Sequence, residues 1–194
     1  MNITVYCGAH LGKDPEFAAK AAELGTWIGQ NGHRLVYGGG LYGMMGTIAD
    51  AALKAGGEVL GVSPDFFLVG EKLHEGLTEL RLTRDLAERR KIMIDEGDSY
   101  IALPGGTGTL DEITEVMSLM RLGRLSIKRR PIMLYNINGY YDHFFSLLDR
   151  VLEEEYFGAD DRASILDVRS IEDIEKALLT AGEFHAERNT LYDE

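Results

Sequence analysis

The stretch Ser99–Leu122, SYIALPGGTGTLDEITEVMSLMRL, decides how the rest of the chain is to be read. It opens as a short apolar run, breaks at Pro104, passes through Gly105, Gly106, Thr107 and Gly108, and enters a helix by way of Thr109, Leu110, Asp111 and Glu112. A strand that ends in glycines and leads straight into a helix presents backbone N–H groups, and the positive end of a helix dipole, to an anion. Without side chains the glycines let a phosphate approach the backbone closely. A structural reading competes at two positions. Thr109-x-x-Glu112 has the spacing of a capping box, Thr109 capping the helix and Glu112 folding back to the N-cap amide, and Asp111 is then a first-turn acid favoured by the dipole. A capping box needs only two residues and explains neither the three glycines nor the proline upstream. The stretch therefore predicts a phosphate cradle at Gly105, Gly106, Thr107, Gly108 and Thr109, with a carboxylate beside it.

Outward from this stretch the pattern repeats. Strands are expected at Ile3–Cys7, Arg34–Tyr37, Val59–Val62, Leu80–Leu82 and Pro131–Tyr135, with helices over about Asp14–Asn31, Tyr42–Ala55, Asp85–Glu96 and Tyr140–Glu154. A short apolar run at Ile165–Val168 and a last helix over Ile171–Thr180 complete the series, while Asp65–Thr78 reads as loop with a helical turn. Strands alternating with helices across short connections imply βαβ units. The expected fold is α/β: one doubly wound, Rossmann-like nucleotide-binding domain over residues 1–182, its mostly parallel sheet covered by helices on both faces, followed by a polar tail at 183–194. In such sheets ligands bind outside the carboxyl ends of the strands. The glycines after the first, second and fifth strands all fall at that edge, consistent with one shared pocket.

The second glycine cluster is YGGGLYGMMG, residues 37–46. Gly38-x-Gly40-x-x-Gly43 satisfies the dinucleotide fingerprint, and Asp65 lies at about the distance of a ribose-binding acid. It follows the second strand rather than the first, and a tight turn with close packing at Gly43 and Gly46 accounts for much of it. A loop lining phosphate or ribose at Gly39, Gly40 and Gly43, together with Gly8 after the first strand, is preferred to a nicotinamide site. The helix Asp85-Leu86-Ala87-Glu88-Arg89-Arg90-Lys91-Ile92-Met93 is the third element. Leu86 and Met93, seven apart, are expected to face inward and to carry Arg89 to the same side, where a guanidinium offers bidentate contact to a phosphate or carboxylate. Arg90 is placed at the rim.

Composition narrows the function. With 194 residues the chain can bury a core unaided. No apolar run approaches the ~20 residues of a membrane span, and MNITVYCG enters a strand directly, so no secretion signal is expected. One cysteine, Cys7, fits a reducing cytoplasm; inside a strand it reads as a small buried hydrophobe. A net charge of −12 argues against nucleic-acid and anionic-membrane partners, which rely on basic surfaces. The five histidines have no metal-ligand spacing; His10, in the loop after the first strand, is the one within reach of a ligand. Met44, Met45, Met93, Met117 and Met120 read as core packing. No metal and no cofactor is expected.

Together these elements resemble the LOG ("Lonely Guy") family, phosphoribohydrolases of cytokinin riboside 5′-monophosphates that have often been labelled lysine decarboxylases. The signature PGGxGTxxE is matched by Pro104, Gly105, Gly106, Gly108, Thr109 and Glu112. YGGGxxGLMG is matched over Tyr37–Gly46 with Met44 for leucine, and M-x-x-R-K-x-x-M is altered, with Leu86 for the first Met and Arg90 for the lysine. Asn136–Asp142, NINGYYD, resembles N-x-D/N-G-Y-Y, whereas Ala9 and His10 replace the two serines usual after Cys-Gly. The resemblance covers about residues 3–155. It implies hydrolysis of the N-glycosidic bond of a nucleoside 5′-monophosphate, with Glu112 and Arg89 catalytic, the amides of 105–109 on the 5′-phosphate, and a pocket completed in a homodimer or larger assembly. Two other readings remain open: a non-catalytic nucleotide-binding regulatory module using the same cradle, and an NAD-dependent oxidoreductase built on the Gly38 cluster. Nothing resembles a pyridoxal-phosphate lysine site.

Overall fold

Along the first strand, β1 (Asn2–Tyr6), successive side chains go to opposite sides: Ile3 and Val5 pack into one apolar cluster, Tyr6 into another. That period-two split, repeated in every central strand, marks a sheet buried on both faces. The chain is described from a computed structural model over residues 1–69, 73–123 and 131–188. In chain order the further elements are α1 (Pro15–Gln30), β2 (Arg34–Tyr37), α2 (Gly43–Lys54), β3 (Glu58–Pro64), a 3-10 turn (Asp65–Val69), β4 (Glu79–Thr83), α3 (Leu86–Glu96), β5 (Ser99–Ala102), α4 (Thr107–Arg121), β6 (Ile132–Tyr135), a second 3-10 turn (Ile137–Gly139), α5 (Asp142–Glu153), α6 (Ala159–Ala163), β7 (Ile165–Val168) and α7 (Ile171–Arg188). Among the described residues the strands form one seven-stranded sheet in the order β4-β3-β2-β1-β5-β6-β7, every pairing parallel.

Helices α1, α2 and α7 bury Leu24, Ile28, Ile48 and Ile174 against Leu35, Tyr37 and Ile101 on one face. Helices α3, α4 and α5 bury Met93, Ile113, Val116 and Leu148 against Val36, Leu60 and Leu134 on the other. Each fully buried aliphatic side chain contributes roughly 1.5–3 kcal/mol, which outweighs the weak propensity of short, mixed segments such as β5. The doubly wound α/β fold expected from the sequence is therefore present. Strand order reverses between β1 and β5, so the switch point, where such sheets bind ligands, lies between the loop at Gly8 and the 104–109 loop.

Helix starts follow their sequence signals. The Asp14 carboxylate accepts from the Glu16 N–H (2.9 Å) ahead of Pro15, and that of Asp85 accepts from the Glu88 N–H (2.8 Å). Several expectations are corrected. Helix α4 begins at Thr107 with Gly106 as its N-cap and no side-chain cap, so Thr109 sits within the first turn and the Thr109–Glu112 capping box does not form. Leu86, expected inward, is 42% exposed at the very start of α3, where no facing element among the described residues covers it. Helix α7 continues past Thr180 to Arg188, and α6 has no apolar periodicity that would have announced it. Cys7 lies one residue beyond β1 and is partly buried. Met44, Met93 and Met120 are in the core, Met45 and Met117 at its margin. Residues 70–72 of the irregular segment, and 189–194 of the tail, lie outside the described residues. Among the described residues no helix is long and apolar enough to cross a membrane.

Candidate active site

The turn after β5 is shaped by its carbonyls. The Leu103 carbonyl accepts from the Tyr141 hydroxyl (2.6 Å), that of Pro104 from the Gly8 N–H (3.1 Å) and that of Gly105 from the Tyr140 hydroxyl (2.6 Å). Three successive acceptors are thus tied to neighbouring elements. The first bond of the α4 ladder runs from the Leu110 N–H to the Gly106 carbonyl (3.2 Å), so the amides of Thr107, Gly108 and Thr109 precede the ladder and have no partner within the helix. Gly106, Thr107 and Gly108 are exposed, and a side chain at Gly106 or Gly108 would meet nothing within 4 Å. Packing does not require glycine at those two positions. A carbonyl-satisfied loop with open amides at a helix N-terminus has the geometry to receive an anion.

Beneath the cradle, Glu112 projects from the second turn of α4 and accepts from Arg89 Nη1 at 2.8 Å. The side chains are 9% and 14% exposed, respectively. Met93, one helical turn after Arg89, holds that face of α3 inward. The guanidinium also donates from Nε to the Val62 carbonyl at the end of β3 (3.0 Å), and its far side lies against Gly38, where a Cβ would collide with it. The turn after β2, together with β3, α3 and α4, therefore fixes one ion pair. Burial pushes the Glu112 carboxyl above its ordinary 4.5, with Asp111 adding to the rise and Arg89 and Arg90 opposing it. A carboxylate with a raised pKa in a mostly buried site is the kind of group that exchanges or directs protons.

The remaining sequence-derived site residues divide. Gly8 and Gly105 lie against each other at the switch point, and Thr109 is buried beside Gly105. Gly43, at φ +64°, lets the start of α2 approach the carbonyl of Ala9. Gly39 and Gly40 are buried, their carbonyls accepting from the His74 N–H (3.1 Å) and the Tyr37 hydroxyl (3.3 Å). Arg90 bonds Glu115 (2.6 Å) and pairs with Asp111 (3.2 Å), joining α3 to the outer side of α4. His10 is exposed. Burial first, then the charge of Glu112, pushes the Cys7 thiol up, which disfavours the thiolate. His74 is a satisfied core residue, with Nε2 on Asp50 (2.9 Å) and Nδ1 accepting from the Gly76 N–H (3.1 Å). Among the described residues no group of three His, Cys, Asp or Glu side chains is placed to hold a metal ion. Gly38, the Val62 carbonyl and Tyr140 belong to the site although sequence reasoning did not put them there. For Tyr140 the signal existed, in NINGYYD, but its target 35 residues away did not.

Fold and site together define a Rossmann-like α/β protein with its functional edge at the β1–β5 switch point. Two solved structures share that fold: a molybdenum cofactor binding protein from Rippkaea orientalis (TM-score 0.69, 20% identity, 92% of this chain and 95% of that one) and the molybdenum cofactor carrier protein from Chlamydomonas reinhardtii (0.67, 20%, 92% and 98%). At that identity the likeness is one of fold alone. Residues 45–178 match the sequence model of a family described as "possible lysine decarboxylase". The chain is 38% identical over 172 residues to a cytokinin riboside 5′-monophosphate phosphoribohydrolase of Rhodococcoides fascians, covering 88% of this chain and 85% of the relative. It is 36% identical over 176 residues to one from Arabidopsis thaliana, covering 91% and 81%. The chain belongs to this LOG-type family.

Proposed function

We propose that this protein hydrolyses the N-glycosidic bond of nucleoside 5′-monophosphates, of the cytokinin riboside or AMP type, releasing a free base and ribose 5-phosphate. The observation that carries the reading is the buried Arg89–Glu112 pair directly beneath the open N-terminus of α4; the names of the relatives point the same way. In the reaction a water oxygen bonds to C1′ while the C1′–N electron pair leaves with the base, which takes up a proton. Positive charge develops on the ribose, and a fixed carboxylate stabilises it and directs the water. Glu112 has that role. Arg89, locked by Val62 and Gly38, holds Glu112 in place and opposes the rise in its pKa that burial causes. The amides of 106–109 take the 5′-phosphate, so that binding of a remote group positions the reacting carbon. The reading extends to a cytoplasmic protein that works as a homodimer or larger assembly and needs no cofactor, the assembly being open to sedimentation analysis.

The test is incubation of the protein with a panel of monophosphates, AMP and an N6-isopentenyl form among them, with base release followed by chromatography. Base is expected from the wild type and not from Glu112→Gln. Binding without release from any monophosphate would replace this reading with a regulatory nucleotide-binding module.

A further inference from the structure

Tyr140 occupies a position that neither the core nor the pairing of Glu112 accounts for. It is 44% exposed, yet its hydroxyl donates to the Gly105 carbonyl at 2.6 Å. The ring is braced edge-on by Phe17 (centroids 5.6 Å apart) and by Tyr141 (5.0 Å). The tether beneath is equally built: the Asn136 side chain accepts from the Tyr141 N–H (2.7 Å), and Asn138, in a left-handed conformation at φ 51°, reaches Asp14 at 2.8 Å. A solvent-facing tyrosine is thereby held in one place by α1, by the second 3-10 turn and by its neighbour.

What it holds is the peptide between Gly105 and Gly106. With glycine on both sides, that unit can rotate at little steric penalty, and nothing lies within 4 Å of where a Gly106 Cβ would stand. In a trans peptide the C=O and the following N–H point in opposite directions. Anchoring the Gly105 carbonyl on Tyr140 therefore turns the Gly106 N–H away from Tyr140. Of the two neighbouring carbonyls, that of Leu103 is held by the buried Tyr141 and that of Pro104 by the half-buried backbone of Gly8; Gly105 depends on an exposed side chain.

We infer that Tyr140 is a positioning residue: its hydroxyl presets the Gly105–Gly106 peptide so that the Gly106 N–H joins the cradle for the phosphate of the substrate. The inference rests on the proposed function for the identity of the anion. Tyr140→Phe keeps the ring and its packing and removes only the tether. With AMP or the preferred monophosphate, KM is expected to rise about tenfold while kcat stays within about twofold, because the lost contact is made equally in ground and transition states. Ribose 5-phosphate, titrated by calorimetry, should bind about tenfold more weakly to the variant, with the melting temperature unchanged. Wild-type KM and affinity in the variant, or a loss confined to kcat, would overturn the inference. Should the wild type cleave no monophosphate, the activity reading fails, but the ribose 5-phosphate titration still decides the role of Tyr140. Absence of ribose 5-phosphate binding by the wild type would remove the cradle and the inference with it.

Discussion

The turn after β2 and the turn after β5 leave the same edge of the sheet and both run through consecutive glycines, but a side chain would meet different surroundings in each. At Gly38 it would strike the Arg89 guanidinium and at Gly43 the Ala9 carbonyl, whereas at Gly106 and Gly108 it would meet open space. The first turn is glycine-rich because protein fills the room. The second is glycine-rich with the room left empty, which is what an external ligand needs. A dinucleotide fingerprint at Gly38-x-Gly40-x-x-Gly43 is on this view a packing pattern. The Arg89–Glu112 pair links the two turns, its guanidinium resting on one and its carboxylate carried by the helix that follows the other.

Breaking that link should have the largest effect. Glu112→Gln is expected to lower kcat on the order of 10³-fold with the fold intact, as read by base release and circular dichroism. Arg89→Ala should abolish turnover and also destabilise by about 3 kcal/mol, because it leaves a buried carboxylate without its partner; denaturant unfolding measures this. Next come the glycines, where the two turns should respond in opposite senses. Gly43→Ala, forced into a left-handed conformation against the Ala9 carbonyl, is expected to lose about 2 kcal/mol of stability. Gly108→Ala, inside a helix with space around it, should gain up to about 1 kcal/mol while KM for the monophosphate rises several-fold. Equal destabilisation at both sites would erase the contrast between the turns.

The smallest effect is electrostatic. The carboxyl of Glu112 is raised above 4.5 by burial first and by Asp111 second. The folded state therefore retains a proton that the unfolded chain releases, so this group's contribution to stability falls as pH rises from about 4.5 through the raised pKa. Glu112→Gln has no proton to lose, and the stability of the wild type relative to it should decline over that window. The acid limb of kcat/KM is expected above 4.5, and Asp111→Asn should move it downward; an unmoved limb would show that another group governs it.

Local rules read well wherever a segment carries its own physics. The Asp14-Pro15 and Asp85 helix starts, the Arg34–Tyr37 strand and the glycine-to-helix opening at 105–108 are all written in neighbouring residues, and so is the doubly wound alternation, because short apolar runs separated by amphipathic helices permit few arrangements. That Glu112 and Arg89 are candidates for one site was legible from residue type and spacing, together with the family resemblance, and the structure brings them into contact. Tertiary structure decided what each of them touches. The helix starts two residues before Thr109, which removes the capping box and leaves Glu112 in the second turn, where it pairs with Arg89. Met93, and not the exposed Leu86, holds Arg89 inward, since only contact with the sheet decides which helical face is covered. Gly38 beneath the guanidinium and Tyr140 on the Gly105 carbonyl depend on residues 51 and 35 positions apart in the sequence, beyond the reach of any local signal.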